Sequence, residues 1–217
     1  MFDTLQHKGR RKQLLSQLLS KFEFDTRVIE AMNKVPRHMF VDHGLDNLAY
    51  LDKPLPIGAK QTISQPYTVA MQSHLLVQKA VKFDKVLEIG TGCAYQTAVL
   101  AEMGYRVYSI ERQKALYILA QKNLARLEYH NPLLCFGDGF AGLPKFAPFK
   151  GILITCGAPE IPNELLRQLA IGGRMVIPVG TGTQRMVVVD RISEEEYIKS
   201  EHGDYKFVPM LSGIEDK

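Results

Sequence analysis

The sequence predicts an α/β fold: a mostly parallel sheet with helices on both faces, preceded by an N-terminal helical extension. Three observations predict it. From Lys85 onward, short apolar runs alternate with amphipathic helical stretches. A glycine turn follows the first of those runs, and acidic residues close the next ones. Composition is that of an ordinary globular chain, with 217 residues, 46% hydrophobic and 23% charged. Strands separated by helices require crossover connections, and those give parallel pairing and a sheet buried on both sides.

The first half is helical with loops. Leu14, Leu15, Leu18 and Leu19 recur at helical spacing behind the basic cluster Lys8, Arg10, Arg11 and Lys12. Ser16, Gln17 and Ser20 interrupt the apolar stretch, so it reads as an amphipathic helix and not as a secretory leader. Asp25 caps a second helix through Val28, Ile29 and Met32 toward Val35, where Pro36 stops it. Asp52 to Gly58 (DKPLPIG) reads as a loop, and Pro66 suits the first turn of a third helix.

The second half supplies the sheet. Strands are expected at Lys85–Ile89, Arg106–Glu111, Pro132–Phe136, Gly151–Thr155, Arg174–Val179 and Met186–Ile192. Helices are expected at Ala94–Met103, Lys114–Leu127 and Pro162–Leu169. Glu194–Glu196 reads as a solvated turn. The division is residues 1–82 as helical segment and active-site loop, packed on a core of residues 83–217 as one compact domain.

Composition excludes several classes. The net charge of +4 is too small to point to nucleic acid or a membrane surface. No apolar run approaches the roughly 20 residues that span a bilayer. Cys93, Cys135 and Cys156 form no CxxC pair, which argues against a zinc site or a disulfide scaffold and for a reducing, cytoplasmic setting. No metal is expected.

Ligands on such sheets bind at the carboxyl ends of strands. There the chain reads Glu88-Ile89-Gly90-Thr91-Gly92-Cys93-Ala94-Tyr95. Gly90 and Gly92 permit a tight turn and close approach of a ligand. Glu111 ends the next strand, 21 positions after Gly90, an offset at which an acid commonly bonds ribose hydroxyls. A nicotinamide site would want Gly or Ala where Tyr95 stands, and an acid two residues before Gly90 would repel a pyrophosphate. It suits a cationic ligand. The pattern resembles the S-adenosylmethionine loop of Rossmann-like class I methyltransferases, in which Asp138 of Gly137-Asp138-Gly139 takes the position of an adenine contact.

The acceptor is a separate question. Thr155-Cys156-Gly157-Ala158-Pro159 lacks the Asp/Asn-Pro-Pro-aromatic motif that holds a flipped base, and there is no Pro-Cys pair. Upstream stands Lys60-Gln61-Thr62-Ile63-Ser64-Gln65-Pro66. With Lys34–Val41 (KVPRHMFV), Gly172–Gly180 (GGRMVIPVG) and Phe207–Leu211 (FVPML), this block resembles the protein-L-isoaspartate (D-aspartate) O-methyltransferase family. The resemblance runs from Asp25 to about Gly213.

That resemblance implies methyl transfer from S-adenosyl-L-methionine to the free carboxylate of L-isoaspartyl and D-aspartyl residues in damaged proteins and peptides, giving an ester that cyclises to succinimide. It implies Ser64 as the catalytic serine, orienting the acceptor. It implies Gln61, Thr62, Ile63, Ser64, Glu88, Gly90, Thr91, Gly92, Glu111, Asp138 and Gly139 around the cofactor, and Ile57, Val208 and Pro209 at the substrate. The expected partners are isoaspartyl proteins, with no nucleic acid and no membrane, and the expected state is a monomer. A class I enzyme acting on RNA or a small molecule is the alternative, and a non-catalytic protein retaining the fold is a third reading. By itself, Ser64 would read as a helix cap before Pro66. Ala94, Cys93, Lys60 and Lys150 depart from the usual residues Gly, Ser, Gly and Asp. Cys93 is expected close enough to the cofactor for thiol alkylation to block binding.

Overall fold

The computed structural model describes residues 2–216. Helix α1 (Leu5–Leu19) starts at Thr4, whose hydroxyl accepts the His7 N–H, and buries Leu14, Leu15 and Leu18. Helix α2 (Thr26–Lys34) starts at Asp25, whose carboxylate accepts the Arg27 N–H at 2.9 Å. Short 3-10 turns follow at Arg37–Phe40 and His43–Leu48.

The segment expected to be a loop is half of a hairpin. Strands β1 (Leu55–Gly58) and β2 (Gln61–Ile63) pair antiparallel. Pro56 and Gly58 mimic loop composition, but they sit on the exposed face while Leu55 and Ile57 are buried. At the tip, Ala59 and Lys60 have φ of 48° and 56°. This left-handed conformation is natural to Gly, which accounts for the glycine the resemblance expects where Lys60 stands. Helix α3 (Pro66–Val77) follows, with Pro66 in its first turn.

The main sheet contains β3 (Lys85–Ile89), β4 (Arg106–Glu111), β5 (Leu133–Phe136), β6 (Phe149–Ile154), β7 (Leu169–Val179), β8 (Gln184–Arg191) and β9 (Tyr197–Tyr205). Helices α4 (Tyr95–Glu102), α5 (Lys114–Arg126) and α6 (Asn163–Gln168) connect its parallel part. Strand order is β5-β4-β3-β6-β7-β8-β9, parallel from β5 to β7 and antiparallel beyond. The chain therefore builds outward from β3 in one direction, then crosses to β6 on its other side. That reversal of strand order opens a crevice between β3 and β6.

Two findings differ from expectation here. β7 begins at Leu169, before Gly172 and Gly173. β9 was not anticipated, because Tyr197–Tyr205 is exposed almost throughout and has no apolar alternation. It is an edge strand paired only with β8. The Glu194–Glu196 stretch is exposed and lies in the turn between them.

Alternation along the strands divides the core. Val86, Leu153, Val176, Met186 and Val188 join the cluster shared with α1 to α5. Leu87, Ile152, Ile154, Met175, Ile177, Val187 and Val189 join the cluster on the opposite face with Leu165 of α6. Each fully buried Val, Leu or Ile stabilises the fold by about 1.5–3 kcal/mol relative to exposure. The N-terminal helices thus share one core with the sheet. Arg174 fixes this contact: it forms a two-pronged pair with Asp190 at 2.8 and 2.7 Å and donates to Leu75 O and to Gln78 on α3. Among the described residues, no helix is long and apolar enough to cross a membrane.

Candidate functional site

The cleft lies at the carboxyl ends of β3, β4 and β6, with about 830 Å³ of space, part of it open to solvent. Two loops meet there. Gly90 has φ of 94°, and a Cβ on it would lie 2.6 Å from the Thr155 hydroxyl oxygen. Only glycine lets the loop after β3 pass so close to the loop after β6. Thr155 fastens that approach by donating to the Gly90 carbonyl at 2.7 Å. Ala94 also has a left-handed φ, 71°, immediately before α4. The third-glycine position therefore demands a left-handed residue, and Ala is a tolerated departure.

Glu111, at the end of β4, organises the acidic side. One carboxylate oxygen accepts the Gly92 N–H at 2.8 Å, and the other accepts the Gln113 N–H at 2.9 Å. Burial pushes its pKa up, and the backbone donors oppose that shift. The carboxylate faces the cleft with lone pairs left over for hydroxyl donors.

The opposite wall comes from β2 and the segment before α3: Gln61, Thr62, Ile63 and Ser64. Ser64 makes no cap. The residue flanking α3 is Gln65, without a side-chain bond, and the Tyr67 N–H is accepted by Asp52 at 2.9 Å. Ser64, Thr62, Thr155 and Val208 also border a second, wider opening. That opening is walled by Tyr67 and Met71 on one side and by Tyr205, Lys206 and Phe207 on the other. Ser64 stands at the junction.

The C-terminal segment closes the cleft. Gly157 donates to Val208 O and Met210 donates to Gly157 O, both at 2.8 Å. Val208, Pro209, Met210 and Leu211 thereby reach the cleft from far along the chain.

Of the expected contacts, Gln61, Thr62, Ile63, Ser64, Gly90, Thr91, Gly92, Glu111, Gly139, Val208 and Pro209 line the cleft. Glu88, Asp138 and Ile57 do not. Glu88 is fully buried beneath the glycine loop, where its Oε2 accepts Thr97 at 2.5 Å and Ser109 at 2.6 Å. Ser109 spends its proton on Glu88, so the Thr91 hydroxyl, 2.6 Å away, donates to Ser109. This relay ties the glycine loop to the sheet. Burial pushes Glu88 up to about 7, with the Ser109 and Thr97 bonds opposing. A carboxyl so enclosed supports the loop instead of meeting a cation. Asp138 holds loops together: its oxygens accept the Phe140 N–H at 2.9 Å and the Gly213 N–H at 2.7 Å. Ile57 is buried behind the loop, its tip 3.3 Å from where a Cβ on Gly92 would be.

Sequence reasoning did not single out Gln96, Arg112, Gln113, Thr155 or Met210, which also line the cleft. For Arg112, Gln113 and Thr155 the available signal was a position just beyond a strand end; for Met210 it was its place in the Phe207–Leu211 segment. Cys93 and Cys156 line it as well, but burial raises their thiols to about 11 and about 12. Both are held as thiols at neutral pH, which disfavours the thiolate that alkylation requires.

The family model described as Protein-L-isoaspartate(D-aspartate) O-methyltransferase matches residues 9–215. Protein-L-isoaspartate O-methyltransferases from Christiangramia forsetii and Flavobacterium psychrophilum are each 51% identical over 217 residues, covering 100% of both chains. A solved protein-L-isoaspartate O-methyltransferase superposes with a TM-score of 0.84 at 25% identity, over 94% of this chain and 67% of that one. A Plasmodium falciparum structure described as a β-aspartate methyltransferase in complex with S-adenosyl-L-homocysteine has a TM-score of 0.83 at 24% identity, over 93% of this chain and 98% of that one. A match spanning nearly the whole chain, joined to full-length relatives at half identity, means that the chain belongs to the protein-L-isoaspartate(D-aspartate) O-methyltransferase family.

Proposed function

We propose that this protein methylates the free carboxylate of L-isoaspartyl and D-aspartyl residues in damaged proteins and peptides, drawing the methyl group from S-adenosyl-L-methionine. Family membership supports this reading. The observation that carries it is Ser64 at the junction of two openings, one holding Glu111 and the glycine loop, the other wide enough for a peptide.

The residues present fit the cofactor. Glu111 presents acceptors suited to ribose hydroxyls, and the absence of a side chain at Gly90 lets the glycine loop lie tight against Thr155 with its backbone bordering the cleft. Gly90, Thr91, Gly92 and Gly139 offer backbone at close range, while Gln61, Thr62 and Ile63 form the facing wall. Glu88 and Asp138 act from behind by fixing the loops. S-adenosylmethionine, when bound, supplies an activated methyl on its sulfonium.

The rest falls to this chain. A free α-carboxylate has a pKa of about 3.5, so it arrives ionised and needs no general base. Ser64 donates a hydrogen bond to one of its oxygens and leaves the other directed at the methyl. Val208 and Pro209 keep water from the acceptor, while Ile57 packs behind the glycine loop and supports it. Catalysis is then mainly orientation and desolvation. A monomer located in the cytoplasm completes the reading, and the +4 net charge with the lack of a base-stacking motif favours protein over nucleic acid as its substrate.

Labelled S-adenosylmethionine and a pair of peptides differing only in isoaspartate against aspartate test this. Base-labile label on the isoaspartyl peptide alone is expected. Equal labelling of both, or of neither, contradicts it.

A further inference from the structure

Arg37 has no part in the chemistry above, yet its burial is extreme. It is 1% exposed in the 3-10 turn Arg37–Phe40. Removing a charge from water costs several kcal/mol unless its donors are satisfied. Among the described residues, no carboxylate pairs with it within salt-bridge distance. Its Nε donates to the Ala49 carbonyl at 2.9 Å, and its Nη2 donates to the Ser64 carbonyl at 2.8 Å. Its guanidinium lies 4.8 Å from the centre of the Tyr95 ring, and Tyr95 lines the cleft. Nη1 has no partner. Burial lowers the pKa, but a guanidinium still remains charged at any working pH.

From this geometry we infer that Arg37 is a positioning residue for methyl transfer: its rigid fork holds the Ser64 main chain so that the hydroxyl is presented at the junction of the two openings. The inference rests on the role given to Ser64 above. Ser64 lies between β2 and α3 and gets no anchorage from capping. The Arg37 bond is a side-chain hold on its backbone that bridges to the distant Ala49 turn. A planar fork reaches two carbonyls at once. A lysine ammonium, a point donor on a flexible stem, does not. The same guanidinium contacts the ring of Tyr95 at the start of α4, so it links Ser64 to that helix.

The test uses Arg37→Lys, Arg37→Gln, Ser64→Ala and the double variant Arg37→Lys/Ser64→Ala. Arg37→Lys keeps charge and stem, so it serves if Arg37→Gln does not fold. Three readouts are taken: kcat and KM for an isoaspartyl peptide, the Kd for S-adenosylhomocysteine, and amide hydrogen exchange over residues 61–67. Arg37→Lys should lower kcat at least tenfold, since misplacement by about 1 Å costs up to about 10²-fold. The Kd should stay within about threefold. Exchange over 61–67 should quicken at least tenfold while α5 is unchanged. Adding Arg37→Lys to Ser64→Ala should cost no further kcat. Unchanged exchange over 61–67, or independent multiplicative losses in the double variant, overturns the inference. If the wild type methylates no isoaspartyl peptide, the activity reading falls, and exchange still decides whether Arg37 holds Ser64.

Discussion

Glu111 accepts the backbone N–H of Gly92 at 2.8 Å, so the end of β4 holds the glycine loop that follows β3. One carboxylate thus shapes the loop and faces the cleft. Charge-assisted bonds of this kind are worth about 1.5–3 kcal/mol each. Glu111→Ala should therefore weaken S-adenosylhomocysteine binding by about 10- to 100-fold in calorimetry. The kcat at saturating cofactor should change much less, because Glu111 is remote from the acceptor opening.

Ser64→Ala should show the opposite division. Loss of one preorganised donor at a reacting centre costs about 10²-fold in kcat. The Kd for S-adenosylhomocysteine should remain within about threefold of wild type. Parallel loss of affinity in both variants would contradict the separate roles.

Glu88 is enclosed by Thr97 and Ser109 and pushed up to about 7 by burial. Since it does not line the cleft, Glu88→Gln should leave cofactor affinity within about threefold. Its effect should appear in stability. The unfolded carboxyl ionises near 4.5, the folded one near 7, so the folded state holds the extra proton between them. Wild-type stability from this group declines as pH rises through that window, then levels off. The advantage of Glu88→Gln in urea unfolding should grow over the same range.

His38 titrates the other way. Its ring is fully buried, stacked 3.8 Å from His7, with Asp3, Arg11 and Tyr50 around it. Burial, aided by His7, pulls it down to about 4. Unfolded, it takes a proton near 6.5, so stability falls as pH drops from 6.5 toward 4. Between pH 7.5 and 5.5 this amounts to about 1.4 kcal/mol. Unfolding free energies from urea titrations of wild type and His38→Gln should diverge by that amount over this range, the wild type losing more on the acid side.

The parallel core was legible because its strands are buried on both faces. Lys85–Ile89 and Phe149–Ile154 are apolar runs apart from Lys85, Glu88 and Lys150, and each stands out along the chain. β9 was not, since an exposed edge strand rich in Lys199, Ser200, Glu201 and His202 has no apolar face to betray it. The β1–β2 hairpin hid behind Pro56 and Gly58. At the site, motif glycines and Glu111 were legible from spacing. Thr155 and Gln113 were not, because loop residues gain their place from strand order, which local pattern does not encode. Glu88 and Asp138 show the converse limit. Their acidity was plain, but which side of the loop each carboxylate faces depends on Thr97, Ser109 and Gly213, which belong to other elements of the fold.

The central claim is that the methyl group goes to a carboxylate oxygen of isoaspartate. Mass spectrometry of an isoaspartyl peptide after turnover, before and after mild base, tests it most directly. The expected result is one methyl group on the isoaspartyl carboxyl, lost in base, with succinimide and then aspartyl peptide accumulating over repeated cycles. A base-stable methyl on nitrogen or sulfur, or an unmodified isoaspartyl peptide, would contradict the account.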